Sequence, residues 1–488
     1  RTMGHTVGTL IWFREDLRIG DHPALHAAIA RGQPVIALYV LNTTDSTRLA
    51  GAAFCWKLHG ALHNLQTALA TLNIPLILQQ GDAQERLESL VQALEVDAVF
   101  WSRRYAPNAV AQDKAIMARL KSMGKTVESF NSKLLSEPWT VKTGAGGSFK
   151  VFTPFCRAAR TRHSDLRPRP APNAALPWDA SPDLGDNLES WGLTPASPAW
   201  TEPDWTEGLA AAWPGGEAAA KARMRAFLAD GFKGYKDGRN LPAAPHVSGL
   251  SPYLATGEIS PRQARQAALS AAEQAGGALD ADFEAFEREL YWRDFSHNLL
   301  FFGDDITTKN HQPKFNAFPW ADDEAAFKAW TKGQTGYPIV DAGMRELWHT
   351  GYMHNRIRMV TASFLTKHLL IDWRRGEQWF WNTLVDADSA SNPANWQWVA
   401  GSGADAAPYF RIFNPMTQGT KFDSGGQYVR QWVPELAKLP DKHLNAPWAA
   451  PAAELERAGV KLGESYLEPI VDHKAARERA LAAYKEIK

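Results

Sequence analysis

The sequence predicts two architectures in one chain, an N-terminal doubly wound α/β domain and a C-terminal all-helical domain. Near the N-terminus, short apolar runs alternate with amphipathic segments, which is typical of a parallel sheet with helices on both faces. After residue 215, apolar residues recur at helical spacing and the strand pattern is lost. Between these regions, 164–206 is rich in proline and short polar residues, which indicates a long linker.

The α/β domain is predicted to span 6–135 and to contain five strands. Each predicted strand is short, rich in β-branched or aromatic residues, and bounded by turn residues. No Gly-x-Gly-x-x-Gly follows the first strand, so a Rossmann-type dinucleotide site is not expected. The carboxyl edge of such a sheet still offers a ligand crevice. The predicted strands are 6–13, 34–41, 75–80, 97–102 and 126–132.

The helical domain is predicted to span 211–488, with the linker assigned to 136–210. Its segments carry apolar residues three and four positions apart, and turn residues separate one segment from the next. The predicted helical segments are 216–232, 260–276, 280–302, 341–370 and 376–386.

Charge, cysteine content and aromatic content limit the kinds of protein that this sequence can encode. The 53 basic and 53 acidic residues give a formal net charge of zero, which argues against nucleic-acid binding through bulk charge but not against a local basic groove. Two cysteines, Cys55 and Cys156, without a Cys-x-x-Cys, predict a reducing cytoplasm and no disulfide framework. No apolar run is long enough to span a membrane. The 20 tryptophans exceed ordinary core usage, so some are candidates for ligand stacking or electron relay.

Two segments combine polar and aromatic residues in ways that fit a binding site. Small hydroxyl residues and a glycine precede a helical run in 247–260, where backbone N–H groups would suit a phosphate; an ordinary capped helix start is the alternative. In 287–298, Glu289, Trp292, Arg293 and Ser296 share one helical face. This face is either the wall of a polar cavity or a solvated ion pair beside one buried indole.

Two further segments point the same way. In 351–359, Arg358 is able to reach a buried carboxylate, for which Asp386 and Asp388 are the candidates. Such a pair suits recognition of a planar ring with N–H donors, and a structural salt bridge is the alternative. The stretch 391–398, Ser-Asn-Pro-Ala-Asn-Trp-Gln-Trp, crowds three amides and two indoles into eight residues, which plain core packing explains poorly.

Several of these stretches together resemble the photolyase/cryptochrome family. The resemblance runs over nearly the whole chain and is densest at 286–435. It implies an α/β antenna domain and a helical domain that holds FAD in a U shape. In repair members, photoexcited FADH⁻ passes an electron to a cyclobutane pyrimidine dimer flipped out of DNA, the ring splits, and the electron returns. The stretches that carry the resemblance are 12–25, 336–347, 351–377, 386–388, 395–398 and 405–423.

The resemblance also implies roles for individual residues. Asn392 matches the residue that faces flavin N5, and Glu289 the carboxylate that hydrogen-bonds the dimer. Trp292 and Trp398 match the indoles that grip the dimer, with Met359 beneath it. These five form the expected catalytic set. The expected FAD-binding residues are Tyr235, Val247, Ser248, Gly249, Leu250, Ser251, Arg293, Asn355, Arg358, Asp386, Asp388 and Asn392.

Two more sets follow from the resemblance. Trp396, Trp373 and Trp320 match a three-tryptophan relay that photoreduces the flavin from the surface. The expected DNA-binding residues are Arg239, Glu289, Trp292, Arg356, Met359, Trp398, Arg411, Gln418 and Lys421. No metal site is expected, and the partner is DNA that contains cyclobutane pyrimidine dimers, bound by a monomer.

Four readings compete on these residues. A cyclobutane-dimer photolyase is favoured over a (6-4) photolyase, because that subgroup uses His where Met359 stands. A cryptochrome photoreceptor, which signals without catalysis, is the alternative of another class. A carbohydrate-binding protein or glycosidase explains stacking rings and carboxylates but not the spacing of Arg358, Asp386 and Asn392. Pro393, Ala394 and Asp294 depart from many bacterial dimer photolyases and suggest the class III branch, nearer the plant cryptochromes.

The antenna chromophore is expected to be methenyltetrahydrofolate, with 8-hydroxy-deazaflavin as the alternative. The loop 102–113 lacks the Asn-Glu pair associated with one mode of folate binding. We therefore expect the folate nearer to residues 40–60 and 135–152.

Overall fold

The computed structural model describes residues 7–162, 165–178, 183–193, 206–406 and 410–488. Within these ranges the chain forms two compact units. The first comprises the described residues of Arg1–Ala199, Trp213–Ala229 and Ser248–Phe302. The second comprises those of Trp200–Ala212, Asp230–Val247 and Gly303–Lys488.

The first unit contains a five-stranded parallel sheet in the order β3-β2-β1-β4-β5. The predicted doubly wound α/β fold is confirmed, and each strand lies within two or three residues of its predicted position; residue 6 of the first predicted strand lies outside the described residues. The strands are β1 (Thr9–Phe13), β2 (Val35–Asn42), β3 (Leu76–Gly81), β4 (Ala98–Ser102) and β5 (Thr126–Phe130). The helices between and after them are α1 (Pro23–Ala30), α2 (Ala52–Ala70), α3 (Ala83–Ala93), α4 (Pro107–Ser122) and α5 (Phe152–Thr161).

The central strand β1 is buried on both faces, because side chains alternate across a strand and helices cover both sides. Ile11 and Phe13 pack into one core with residues of α1 and α2. Leu10 and Trp12 pack into a second core with residues of α3 and α4. The apolar run of β1 therefore contributes side chains to the hydrophobic cores on both faces of the sheet.

Charged side chains fill the carboxyl edge of β1 and β4. Asp16 bonds His22 Nε2 at 2.7 Å and accepts from Ser102 Oγ at 2.7 Å. Burial opposes ionisation of Asp16, but these partners hold its pKa at about 2. Arg14 donates to both oxygens of Asp113 at 2.9 and 3.0 Å. The two carboxylates at this edge are thus paired with histidine, serine and arginine side chains beside them.

The rest of the described chain is helical. Beyond Phe130 the described residues contain no strand, as the sequence predicts. The bounds are α6 (Thr206–Ala212), α7 (Glu217–Asp230), α8 (Tyr235–Gly238), α9 (Ser251–Thr256), α10 (Pro261–Gln274), α11 (Asp280–Phe302), α12 (Glu324–Thr331), α13 (Pro338–Thr350), α14 (Asn355–Ser363), α15 (Trp373–Thr383), α16 (Ser391–Ala400), α17 (Pro415–Phe422), α18 (Gln427–Trp432), α19 (Asp441–Leu444), α20 (Ala452–Arg457) and α21 (His473–Glu486).

The predicted linker 136–210 contains α5 and a short 3₁₀ turn, Leu188–Trp191. Its residues 163–164, 179–182 and 194–205 lie outside the described residues. The helices α9, α10 and α11 group with the sheet in the first unit. The domain bounds at 135 and 211 stay predictions.

A tryptophan-rich core holds the second unit together. Trp330, Trp373 and Trp396 are nearly or fully buried in it, among aliphatic side chains from α13, α14, α16 and the C-terminal helices. A π-helical turn, Phe364–His368, follows α14 directly. No helix in the described part of the chain has the length and apolar character to cross a membrane.

Candidate active site

Arg358 and Asp386 form a two-bond ion pair in the second unit. Arg358 Nη1 donates to Asp386 Oδ1 at 3.1 Å, and Nη2 donates to Oδ2 at 2.7 Å. Arg358 Nε donates to the Met353 carbonyl at 2.6 Å, so the guanidinium plane is fixed. Burial alone would lower the pKa of Arg358, but the Asp386 carboxylate raises it. The predicted pair is present, and the roles of both residues toward a flavin stay predictions.

The helix that carries Arg358 begins at a histidine cap. His354 Nδ1 accepts from the Arg356 backbone N–H at 3.1 Å, and Nε2 lies 2.8 Å from the Arg239 carbonyl. Since Nδ1 accepts, the ring is neutral and donates through Nε2. Burial and the nearby arginines lower the pKa of His354 to about 4. The start of α14 is thereby fixed to the backbone of Arg239.

On α14, Asn355 and Met359 lie one turn apart, and Asn355 Nδ2 approaches Met359 Sδ at 4.0 Å. Asn355 is exposed and Met359 is half-buried. Arg356 lies on the same helix, with its guanidinium carbon 4.4 Å from the centre of the Phe422 ring. One short helix thus presents residues predicted for FAD, for the lesion and for DNA.

Asn392, near the start of α16, is held by Glu377. Its Nδ2 donates to the Glu377 carbonyl at 3.0 Å and to Glu377 Oε1 at 3.1 Å. Asn392 is 8% exposed and Glu377 is 2% exposed. With both amide N–H bonds engaged, Asn392 presents its carbonyl oxygen as an acceptor. Asp388 Oδ1 accepts from the backbone N–H groups of Ala390 and Ser391 at 2.6 and 2.8 Å, which satisfies two donors where this helix begins.

The predicted shared face of Glu289, Trp292, Arg293 and Ser296 lies on α11, in the first unit. The Trp292 ring stacks on Phe152 with centroids 3.8 Å apart and planes 6° apart. Arg293 donates to the Lys133 carbonyl and, at 3.5 Å, to the Leu254 carbonyl. Glu289 and Trp292 are half-buried. The indole is therefore fixed on one side, and the face combines apolar and charged groups.

The loop before α9 also lies in the first unit. Gly249 has φ +64°, a backbone conformation that favours glycine, and a Cβ there would also lie 2.9 Å from the Arg223 side chain. Ser248 Oγ accepts from the Leu250 N–H at 3.3 Å, and α9 begins at Ser251. Among the other residues predicted to hold FAD, Val247 and Tyr235 belong to the second unit, where Tyr235 opens α8 and is buried.

The three tryptophans predicted as a relay belong to the aromatic core of the second unit, with Trp373 and Trp396 buried and Trp320 half-buried against it. Trp373 Nε1 donates to Asn310 Oδ1 at 2.8 Å. Trp396 Nε1 is buried and has no hydrogen-bond partner among the described residues. The Trp396 ring lies against Phe380, with centroids 4.8 Å apart, and against the backbone of Gly376, where a Cβ would overlap the indole.

Basic residues of the predicted DNA rim gather in the second unit. Burial and the positive charges of Arg411 and Arg239 lower the pKa of Arg356, which indicates that the three cations lie close enough to repel one another. Arg356 Nη2 donates to Asn240 Oδ1 at 3.2 Å. The Lys421 ammonium lies 5.2 Å from the Phe422 ring centre. Gln418 is half-buried, and its Oε1 lacks a partner among the described residues.

Sequence reasoning missed the residues that support these side chains. Glu377 was visible only as an acidic residue inside the aromatic helix 376–386, and His354 only as a neighbour of Asn355. Glu346 accepts from Tyr428 Oη at 2.9 Å and from the His354 N–H at 3.2 Å, and burial raises the pKa of Glu346 to about 7. These supports depend on pairs distant in sequence.

Both parts of the chain are similar to known protein families. Residues 286–486 match the family described as the FAD binding domain of DNA photolyase, and residues 9–174 match DNA photolyase. The chain is 48% identical to a deoxyribodipyrimidine photo-lyase of Agrobacterium fabrum, over 99% of this chain and 98% of that protein. It is 34% identical to cryptochrome-1 of Arabidopsis thaliana, over 98% of this chain and 70% of that protein.

Solved structures agree with these relatives. A class III photolyase from Agrobacterium tumefaciens superposes with a TM-score of 0.94 at 46% identity, covering 100% of this chain and 99% of that one. A cryptochrome from Synechocystis superposes with a TM-score of 0.88 at 30% identity, covering 99% of each chain. The predicted resemblance is confirmed: an α/β sheet domain, a helical domain that matches an FAD-binding family, and near-complete coverage mean that the chain belongs to the photolyase/cryptochrome family.

Proposed function

We propose that the chain is a light-driven DNA-repair enzyme that splits cyclobutane pyrimidine dimers with bound FAD. The observation that carries this proposal is that residues of three different predicted roles lie on the single helix α14. Within positions 356–359, Arg356 lies on the basic rim and Arg358 forms its ion pair with Asp386. Met359 lies on the same face of the helix as Asn355. A cofactor anchor, a lesion contact and a phosphate contact on one turn of helix suit an enzyme that brings DNA to a flavin.

The residues present fit a flavin. When bound, FAD supplies light absorption and a one-electron donor, and the protein supplies its position and electrostatics. The fixed Arg358–Asp386 pair offers a planar, directional contact to a planar ring. Asn392 offers a carbonyl acceptor to an N–H group, since its own N–H bonds are held by Glu377. Its side chain is neutral, so it adds no negative charge beside an anionic reduced ring.

The remaining FAD contacts are proposed from the family resemblance. Ser248, Gly249, Leu250 and Ser251 offer backbone N–H and hydroxyl donors of the kind that bind phosphate. The other proposed FAD contacts are Tyr235, Val247, Arg293, Asn355 and Asp388.

The proposed contacts to the lesion and to DNA are of three kinds: ring stacking, hydrogen bonding and phosphate binding. The apolar faces of Trp292 and Trp398 would grip an unstacked pyrimidine dimer, which a buried cofactor can reach only after flipping. Glu289 would hydrogen-bond the dimer carbonyl or imide groups, and Met359 would line its underside. Arg239, Arg356, Arg411, Gln418 and Lys421 would bind phosphates, which positions the duplex without reading its sequence.

Trp396, Trp373 and Trp320 are proposed to carry electrons between solvent and FAD. An indole is large, oxidisable and packs well at depth, so a series of them suits stepwise transfer. The unpartnered Nε1 of buried Trp396 supports a role other than hydrogen bonding for this ring.

A cryptochrome-type photoreceptor is the second candidate, because similarity to two cryptochromes over nearly all of this chain supports it as well.

The antenna chromophore is proposed to be methenyltetrahydrofolate, with 8-hydroxy-deazaflavin as the alternative. Segment 102–113 is a poor place for it, because it is a short turn followed by the start of α4, and Arg104 in the turn donates to Gln112 at 2.8 Å and to Asp113 at 2.6 Å on that helix. We propose a site nearer 40–60 and 135–152, in a cytoplasmic monomer.

Illumination of the purified FAD-loaded protein tests the proposal. Oligonucleotides that contain a cyclobutane dimer should be restored in the light and not in the dark, while (6-4)-containing oligonucleotides stay damaged. Absence of light-dependent repair of both substrates by the reduced holoprotein would leave the photoreceptor as the function. Repair of the (6-4) substrate alone would contradict the role given to Met359. The absorption spectrum of the same preparation reports the antenna.

A further inference from the structure

Lys367 is a buried lysine that none of the proposed roles uses. It lies in the π-helical turn Phe364–His368 and is 2% exposed. Its Nζ donates to the Val399 carbonyl at 2.6 Å and to the Arg411 carbonyl. The Phe410 ring centre lies 4.6 Å from the same ammonium. Two carbonyls and a ring face are all that the described residues offer it.

The charge of Lys367 has no carboxylate partner among the described residues. The charged group that most affects it is Arg411, which repels it. His368 beside it is paired with His473 Nδ1 at 2.8 Å, and Arg479 donates to the His368 carbonyl at 2.7 Å. Burial lowers the pKa of His368 to about 3, so its ring adds no competing positive charge at neutral pH, and burial lowers the pKa of His473 as well.

Such a lysine costs folding free energy. Burial, with repulsion from Arg411, lowers the pKa of Lys367 to about 7, well below its ordinary value. Below pH 7 both the folded and unfolded chains carry the proton, and the folded chain bears the desolvation cost in full. As pH rises above 7 the folded chain sheds the proton first, and this cost is relieved. A group that weakens the fold at neutral pH points to a role beyond packing.

The two carbonyls bound by Lys367 belong to segments that bear proposed lesion and DNA contacts. Val399 directly follows Trp398 and lies at the C-terminal end of α16, where carbonyls favour a cation. Trp398 Nε1 in turn donates to the Asp405 carbonyl at 2.9 Å, so α16 is linked at two points to the residues that lead to Arg411. The Arg411 carbonyl is bound directly.

We propose that Lys367 is a positioning residue that, as an ammonium, fixes Trp398 and Arg411 relative to each other for lesion binding. The inference rests on the proposed function, since it concerns the same lesion site. An ammonium has three donors and makes charge-assisted bonds, whereas the neutral amine has two donors and makes weaker ones. Lesion affinity should therefore fall as pH rises through about 7.

The test measures dissociation constants of the FAD-loaded protein for duplexes with and without a cyclobutane dimer, one to two pH units below and above 7. Lys367→Met keeps the length of the side chain and removes its charge and donors. We expect it to weaken lesion binding by about tenfold at the lower pH and by about twofold at the higher pH, as befits one charge-assisted bond pair. Lys421→Met, an exposed lysine of the same rim, is the matched control and should have the same effect at both pH values.

Two further measurements separate positioning from structure. In the Arg411→Ala background, Lys367→Met should cost less than it does alone, because the carbonyl of residue 411 remains but the side chain that Lys367 positions for DNA is gone. FAD retention should stay close to that of the unchanged protein, and the thermal midpoint should not fall, because the substitution removes the desolvation cost of the buried ammonium. If Lys367→Met does not fold, Lys367→Arg decides the matter: its guanidinium keeps its charge above pH 7, so the fall in lesion affinity through pH 7 shown by the unchanged protein should disappear.

Equal losses at both pH values, no loss at either, or a flat pH profile of the unchanged protein would each overturn the positioning role. These outcomes leave the repair function standing, because the unchanged protein still distinguishes damaged from undamaged DNA. Failure of the unchanged protein to make that distinction overturns the proposed function and this inference with it.

Discussion

Replacement of Asn392 by aspartate probes the buried contact with Glu377. In Asn392→Asp, an oxygen takes the place of the Nδ2 that lies 3.1 Å from Glu377 Oε1. Two unit charges at that separation repel by about 5 kcal/mol at an effective dielectric constant of about 20, which corresponds to a shift of about 4 pKa units. Both sites are less than a tenth exposed, so solvent screens this repulsion little. One carboxyl of the pair is therefore expected to hold a proton at neutral pH.

The sign of the pH dependence follows from that raised pKa. The folded variant binds a proton that the unfolded chain has released above about pH 4, so its stability is greatest at low pH. Stability then falls as pH rises through the raised pKa of the pair. Thermal unfolding of FAD-loaded protein over a series of pH values measures this. Asn392→Ala is the control, because it loses the same hydrogen bonds and adds no charge. If the aspartate variant tracked the alanine variant at every pH, the repulsion argument would be refuted.

Three further changes test the other proposed roles. Trp396→Phe loses no hydrogen bond, since Nε1 has no partner among the described residues, and should block light-driven reduction of oxidised FAD while chemically reduced protein still repairs; normal photoreduction would contradict the relay. Glu289→Ala should lower the repair yield at least tenfold with FAD retained, as expected for a lost charge-assisted bond, and full repair would refute the assignment. Arg239→Ala keeps the backbone carbonyl that His354 contacts, so it should reduce the salt slope of DNA binding by about one without unfolding; an unchanged slope would count against a phosphate contact there.

Local patterns predicted much of the fold. Five apolar runs bounded by turn residues became the five strands, because a buried parallel strand needs an apolar side chain on both faces. The shared face of Glu289 to Ser296 followed from helical periodicity alone. From the residues alone, Asp386 and Asp388 were alternative partners for Arg358, and the structure shows the ion pair with Asp386.

What local patterns could not supply is the long-range support of the site. Glu377 and Asn392 are 15 positions apart on different helices, and nothing in either segment indicates that the two side chains meet. Lys367 lies between two apolar stretches, 364–365 and 369–371, where an amphipathic lysine ordinarily extends to solvent. That its ammonium instead reaches Val399 and Arg411 depends on packing among helices and on the widened π-helical turn.

The contact between Trp396 and the backbone of Gly376 links two positions that lie far apart in the sequence. The indole fills the volume that any side chain at 376 would need, so a larger residue at one position requires a smaller residue at the other. Their evolution should therefore be coupled: relatives with a larger residue at 376 should carry a smaller one at 396, and so give up that indole. Conversely, a lineage that loses the indole is released from the glycine and can drift toward better helix formers at that position.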